Sequence, residues 1–175
     1  MCSAKLSPQF SPEAGVALMN ALVEVGEQSF FAFIESCDET WFEELASTAD
    51  QWMIATVTFT GEQGTGALSC LFPDDLVLDL FDAFTGRDPA EGPPDPREVD
   101  DLAGEFANMV CGLWLSRVMG SHTFSLGSPR AGRVPKPAST VPEGVERFLV
   151  VVNNRPMIVD LTVHAANRTS EAIEV

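Results

Sequence analysis

Asp101-Leu-Ala-Gly-Glu105-Phe-Ala-Asn108-Met-Val-Cys-Gly112-Leu-Trp-Leu-Ser-Arg-Val-Met119 is the stretch on which the reading of this chain turns. Residues advance about 100° around a helix, so positions i, i+4, i+7 and i+11 share a side. That spacing places Asp101, Glu105, Asn108 and Gly112 on one stripe. Leu102, Phe106, Met109 and Leu113 follow the same spacing one residue on, which predicts a polar stripe directly beside the core-facing one. A solvated face usually carries several charges of mixed sign. This one holds two carboxylates a turn apart, an amide one turn on from the second, and a glycine that lets another surface come close. It has the character of a small docking site, although a capped helix with a polar stripe can equally be a plain solvent face.

The elements around it are legible from their boundaries. Asp95-Pro96-Arg97-Glu98 is a cap with proline at the first helical position, so the motif helix starts there and should end near Gly120. Upstream, Pro73 opens a helix to about Thr85, with Gly86 as its stop. Trp52 to Thr60 and Thr65 to Leu71 read as a hairpin around Gly61-Glu-Gln-Gly64. Ser11-Pro12-Glu13 caps a first helix whose apolar positions Val16, Met19, Leu22, Val23, Phe30, Phe33 and Ile34 carry it to about residue 35. An acidic connection with Trp41 and Phe42 follows it. Downstream, Thr123 to Leu126 is a short strand, and residues 130–143, with Arg130, Arg133 and Lys136, read as a Pro/Gly/Ser loop. Arg147 to Val152 and Pro156 to Ala165 close the domain as strands around Asn153-Asn154. The fold class is therefore α+β, an antiparallel sheet with long helices packed on one face. Residues 1–10 are expected to be a flexible leader, 11–165 a single domain, and 166–175 a frayed tail.

Composition narrows the partners. With 26 acidic against 10 basic residues the formal net charge is −16, which argues against nucleic acid or an anionic membrane as partner. The acidity serves either solubility or partner choice. Cys2, Cys37, Cys70 and Cys111 are widely spaced, and His122 and His164 add no ligand-like spacing, so no metal site is expected. With no basic-then-apolar leader and no run of about 20 apolar residues, a cytoplasmic chain with free, buried thiols is expected. No P-loop, HExxH, GxSxG or GxGxxG occurs. The glycines at 61, 64 and 66 belong to a hairpin turn, not a phosphate cradle.

Asp/Ser-x3-Glu-x2-Asn with a trailing proline resembles the signature of the CheC, CheX and FliY phosphatases of bacterial chemotaxis. Asp101, Glu105 and Asn108 match it, with Pro129 of Ser125-Leu-Gly-Ser-Pro129 as the proline. Asn108-Met-Val-Cys-Gly112 and the Leu-Gly-x-Pro segment look most like the CheX branch. Pro129 lies slightly closer to Asn108 than is usual in the family, and Leu113 stands where many relatives carry a polar residue. The resemblance implies a phosphatase acting on a phosphorylated CheY-like receiver, with Asn108 and Glu105 as the catalytic pair. Asp101, Gly112 and Pro129 would support them. This chain would bind no cofactor; Mg²⁺ would sit in the receiver. The other reading is a binding module of the same fold that docks a receiver or switch component without catalysis. CheX-like relatives dimerise through sheet edges, and the hairpin Phe148–Val152 and Met157–Leu161 supplies candidate edge strands for a homodimer. Asn20, Glu24 and Glu27 repeat the motif spacing on the first helix, either as a degenerate second copy of the site or by coincidence.

Overall fold

The computed structural model describes residues 11–120 and 122–165; the expected leader and tail lie outside them. Helix α1 (Pro12–Ser29) begins as its cap dictates, the Ser11 side chain accepting from the Ala14 N–H. It ends six residues earlier than the apolar pattern suggests. Phe31 adopts φ 53°, outside the helical region, and turns the chain into strand β1 (Ile34–Ser36). Gly26 permits that reversal, because a Cβ there would stand 2.5 Å from Ile34 Cδ1. The buried face of α1 is Leu18, Ala21, Leu22 and Val25, while Val16 and Phe33, expected inside, are exposed.

The acidic connection expected before the hairpin is helix α2 (Glu39–Ala46), capped by Asp38, whose carboxylate accepts from the Trp41 N–H at 2.8 Å. Two turns with three glutamates give little periodicity to read. Strands β2 (Trp52–Gly61) and β3 (Gly64–Pro73) form the central hairpin, in register from Trp52↔Pro73 to Gly61↔Gly64. Helix α3 (Asp74–Thr85) stops at Gly86, φ 69°. Helix α4 (Pro96–Val118) is the motif helix, and Asp95 caps it through the Arg97 N–H at 2.9 Å.

Strand β4 (Phe124–Leu126) pairs with Phe59–Gly61 of β2. The segment expected to be a loop from residue 130 opens instead as strand β5 (Arg130–Val134), paired with Trp52–Thr56 of the same β2. Arg-Ala-Gly-Arg-Val has weak strand propensity, and the free edge of β2 supplies the hydrogen bonds that decide it. Strands β6 (Val145–Val152) and β7 (Arg155–Ala165) meet at Asn153 and Asn154, φ 48° and 63°, a tight turn that asparagine tolerates.

The order β1-β6-β7-β3-β2, with β4 and β5 in line along the far side of β2, makes one antiparallel sheet. Helices α1, α3 and α4 cover one face, where Phe30, Phe72 and Phe106 form an aromatic centre. The short α2 lies on the other face, its Phe42 and Ala46 packing on Trp52, Leu71, Val151 and Ile158. The long-helix layer is thus one-sided as expected, with one small addition opposite. The expected edge strands are not at an edge along most of their length: β7 is central, and β6 lies between β1 and β7. Because β1 spans only Val150–Val152, the first half of β6 has no strand on its outer side among the described residues.

Candidate functional site

Helix α4 runs antiparallel to α1. The Trp114 indole N–H donates to the Ala14 carbonyl at 3.1 Å, and the Phe106 ring meets Phe30 at 5.0 Å. Its buried residues are Val99, Leu102, Ala103, Gly104, Phe106, Ala107, Val110, Cys111, Trp114 and Leu115. Met109 and Leu113, expected in the core stripe, are only half-buried. The core face is therefore centred further round the helix than the four-residue pattern suggested. At about 100° per residue, the Asp101–Asn108 stripe lies roughly opposite the middle of that face, not beside it. The reason is that Ala103, Val110 and Trp114, further round the helix from the Leu102–Phe106 row, are buried as well, Trp114 against Phe59 of β2.

Asp101 and Glu105 are exposed on this outward face, and Asn108 and Gly112 are half-buried. The Asn108 Nδ2 group donates to Glu105 Oε2 at 3.4 Å, a long contact that opens at little cost. Asn108 Oδ1 accepts no hydrogen bond from the described residues. The motif therefore presents a carboxylate and an amide side by side.

A wall flanks them. Leu126 lies against Gly112, Pro129 against Gly104, and the Arg133 guanidinium against Asp100 at 3.1 Å, so the chain from 126 to 133 runs antiparallel alongside α4. Asn108 falls midway, one turn from both glycines. The two glycines do different work. A Cβ at Gly104 would stand 3.1 Å from Pro129 Cβ, tighter than ordinary contact, whereas one at Gly112 would meet Leu126 at an ordinary 3.5 Å. Gly104, which the sequence reading passed over, is the notch for the trailing proline. Its i−4 relation to Asn108 was the available signal. The wall is held at Gly127, whose N–H donates to the Thr58 carbonyl at 2.8 Å and where a Cβ would sit 2.4 Å from Thr58 Oγ1.

The other candidates resolve plainly. Cys37, Cys70 and Cys111 are buried and form no disulfide among the described residues; Cys2 lies outside them. Burial pushes the Cys111 thiol up to about 12 and the Cys70 thiol still higher, so neither supplies a thiolate nucleophile. No group of three or more His, Cys, Asp or Glu among the described residues could hold a metal ion. No helix among them is long and apolar enough to cross a membrane. On α1, Asn20 and Glu27 are exposed in the matching stripe, but Glu24 forms an ion pair with Arg117 of α4. The residue that would correspond to Glu105 is thus engaged within the chain.

Two long helices on one face of an antiparallel sheet, one of them presenting Glu-x-x-Asn outward beside a proline wall, define a protein of the CheC/CheX class. The model of the chemotaxis phosphatase CheX matches residues 53–153, and the chain belongs to that family. Among solved structures, CheX of Desulfovibrio desulfuricans is similar at 17% identity and a TM-score of 0.67, covering 87% of this chain and 99% of its own. CheX of Vibrio vulnificus is similar at 18% identity and 0.65, covering 87% and 97%. The CheX–CheY–BeF3–Mg²⁺ complex of Borrelia burgdorferi is similar at 10% identity and 0.59, covering 86% and 97%. These likenesses establish the fold. No curated protein sequence matches significantly.

Proposed function

We propose that the protein hydrolyses the aspartyl phosphate of a CheY-like receiver, with Asn108 placing the attacking water and Glu105 fixing the approach. The observation that carries this is the exposed Glu105–Asn108 pair, with the Asn108 carbonyl oxygen unoccupied by any described residue. Membership of a chemotaxis phosphatase family, and a similar CheX solved with CheY, support a CheY-like partner.

Phosphoryl transfer from an acyl phosphate passes through a loose transition state, in which positioning and charge stabilisation matter more than a strong base. In such a receiver its own Mg²⁺ and a lysine would supply charge stabilisation for the phosphoryl group. What remains is to hold water in line with the phosphorus–aspartate oxygen bond. A neutral amide suffices: Oδ1 accepts a hydrogen bond from the water, whose protons stay with the phosphate, while the NH₂ group makes a second contact. The water's oxygen forms the new bond to phosphorus, the bond to the aspartate oxygen breaks, and inorganic phosphate leaves. Glu105 would release the Asn108 amide and take the receiver's lysine instead, a charge-assisted contact that sets distance and angle. Asp101 and Pro129 shape the face and touch no reacting atom in this scheme.

Phosphate release from the source organism's phosphorylated receivers, with and without the protein, tests the reading. Tight binding without acceleration would make this a docking module instead. Glu105→Gln is expected to lower kcat/KM about tenfold, since a charged contact becomes neutral. Added salt should depress the wild type in the same direction and the variant less. Equal rates for both proteins across a salt series would remove Glu105 from this role.

The protein is further proposed to act as a homodimer, through the half of β6 that β1 leaves open. An unpaired edge invites another strand. Light scattering at moderate salt should give twice the 18.9 kDa chain mass. A monomer mass at micromolar concentration would exclude the dimer.

A further inference from the structure

Ala4-Lys5-Leu6-Ser7-Pro8-Gln9-Phe10, just ahead of the first helix cap, is apolar at every even position and polar at every odd one. Strict alternation of this kind belongs to an extended strand with one face against apolar surface. Pro8 restricts such a strand to a sheet edge, because its nitrogen donates no hydrogen bond. The ten residues before Ser11 also carry Lys5 and no acid, in a chain of net charge −16.

The fold leaves an edge open where this stretch ends. Pro12, the first residue of α1, lines a groove of about 870 Å³ that follows the first half of β6. Val16 and Met19 of α1 form one wall; Phe42 of α2 and Val141 of the 137–142 loop form the other. That loop is tied to the α2 side, the Ser139 Oγ–H donating to Glu43 Oε1 at 2.8 Å and Arg147 Nη1 to the Ala138 carbonyl at 2.6 Å. The floor is the backbone of β6. At its two ends the Cys37 N–H donates to the Leu149 carbonyl and the Val145 N–H to the Pro142 carbonyl, both at 3.2 Å. Arg147, midway, turns its own N–H and carbonyl to the same outer side, since alternate residues of an antiparallel strand do so. The walls keep apolar surface in contact with water: Val16 is 60% and Val141 43% exposed. The groove is also acidic. Glu39 and Glu146 line it, and the one cation among its described residues, Arg147, is held by Asp160 at 2.7 and 2.8 Å.

We propose that residues 4–10 of this chain pair with the outer edge of β6 in this groove, with their apolar positions on its wall and Lys5 on its carboxylates. Reach is ample. Seven extended residues span about 23 Å, against about 13 Å from Val145 to Leu149. Tethering and charge decide the occupant. A segment joined at Pro12 meets the groove at an effective concentration on the order of millimolar, and it brings a cation to an acidic site. A second copy brings a net charge of −16. The dimer proposed above uses the same edge, so the segment is a gate that a second copy must displace. This inference stands independently of the phosphatase reading.

Hydrogen exchange at the Arg147 amide of the full chain, measured across a dilution series, tests it. In the wild type that amide should be protected equally at every concentration, because the covering strand belongs to the same chain. The double variant Lys5→Glu, Leu6→Asp should exchange there about tenfold faster or more, with the change confined to Val145–Leu149 and the melting temperature kept. Sedimentation equilibrium should show the variant dimerising about tenfold more tightly, the gate being open. Rapid exchange at Arg147 in dilute wild type, or equal rates in wild type and variant, would overturn the inference. Protection that appears only as concentration rises would assign the edge to a second copy and likewise sink it. Faster exchange spread through β7 and β3 would mean that the substitutions loosen the sheet and do not release a strand, which also counts against the proposal.

Discussion

Asn108→Ala is expected to remove nearly all stimulated dephosphorylation while leaving the fold intact. The amide is the only group in the scheme that touches the attacking water. Its truncation should cost on the order of a hundredfold in rate, about 3 kcal/mol of transition-state stabilisation. Stability should move by no more than about 0.5 kcal/mol. Asn108 is half-buried on the outward face, and its side-chain bond to Glu105, at 3.4 Å, is long. Single-turnover phosphate release, beside a thermal melt of the same sample, separates the two effects. Wild-type activity in the variant would mean that Asn108 does not hold the water. A lowered melting temperature with parallel loss of activity would point to a packing role for the residue.

Gly66→Ala should produce the largest loss of stability of any Gly→Ala change among the described residues. Gly66 lies in β3 between β2 and β7, directly across from Phe59. A Cβ there would stand 2.2 Å from the Thr162 carbonyl oxygen and 2.3 Å from Phe59 Cζ. Backbone on one side and a buried ring on the other leave no flexible group to yield. Overpacking of this kind should cost about 3 kcal/mol, roughly 10 °C in melting temperature for a chain of this size. The disturbance should also reach the site, because Phe59 packs edge-on against Trp114 of the motif helix at 5.7 Å. Gly132→Ala in β5, where a Cβ meets nothing within 4 Å, is the matched control and should be neutral or slightly stabilising. Denaturant midpoints at constant slope would measure both. Equal midpoints would show that β3 and β7 move apart easily and that the contact at Gly66 is not a tight one.

The features legible in the sequence were those written in local chemistry. Asp95-Pro96 opened α4, Gly86 stopped α3, and Asn153-Asn154 turned β6 into β7, because caps and positive-φ turns depend on residues a few positions apart. The face shared by Asp101, Glu105, Asn108 and Gly112 followed from helical spacing alone.

What tertiary structure decided were contacts between distant segments. Phe33 and Ile34 fit a continuing helix by pattern, yet Gly26 and the Asn153 turn draw that segment into a strand and leave an aromatic facing water. Arg130–Val134 has no strand signature of its own; it is a strand because the edge of β2 is free to pair with it. The same pairing, with the tight contact of Gly127 on Thr58, carries Pro129 into the notch at Gly104 and builds the wall beside Asn108. Glu24 matches Glu105 in sequence spacing, and only the crossing of α1 and α4 reveals that Arg117 already holds it. Sequence determined which side chains share a helix face, since that depends on a fixed rotation per residue. Whether that face is free, walled or already engaged depends on which remote backbone arrives beside it, and no local periodicity encodes that.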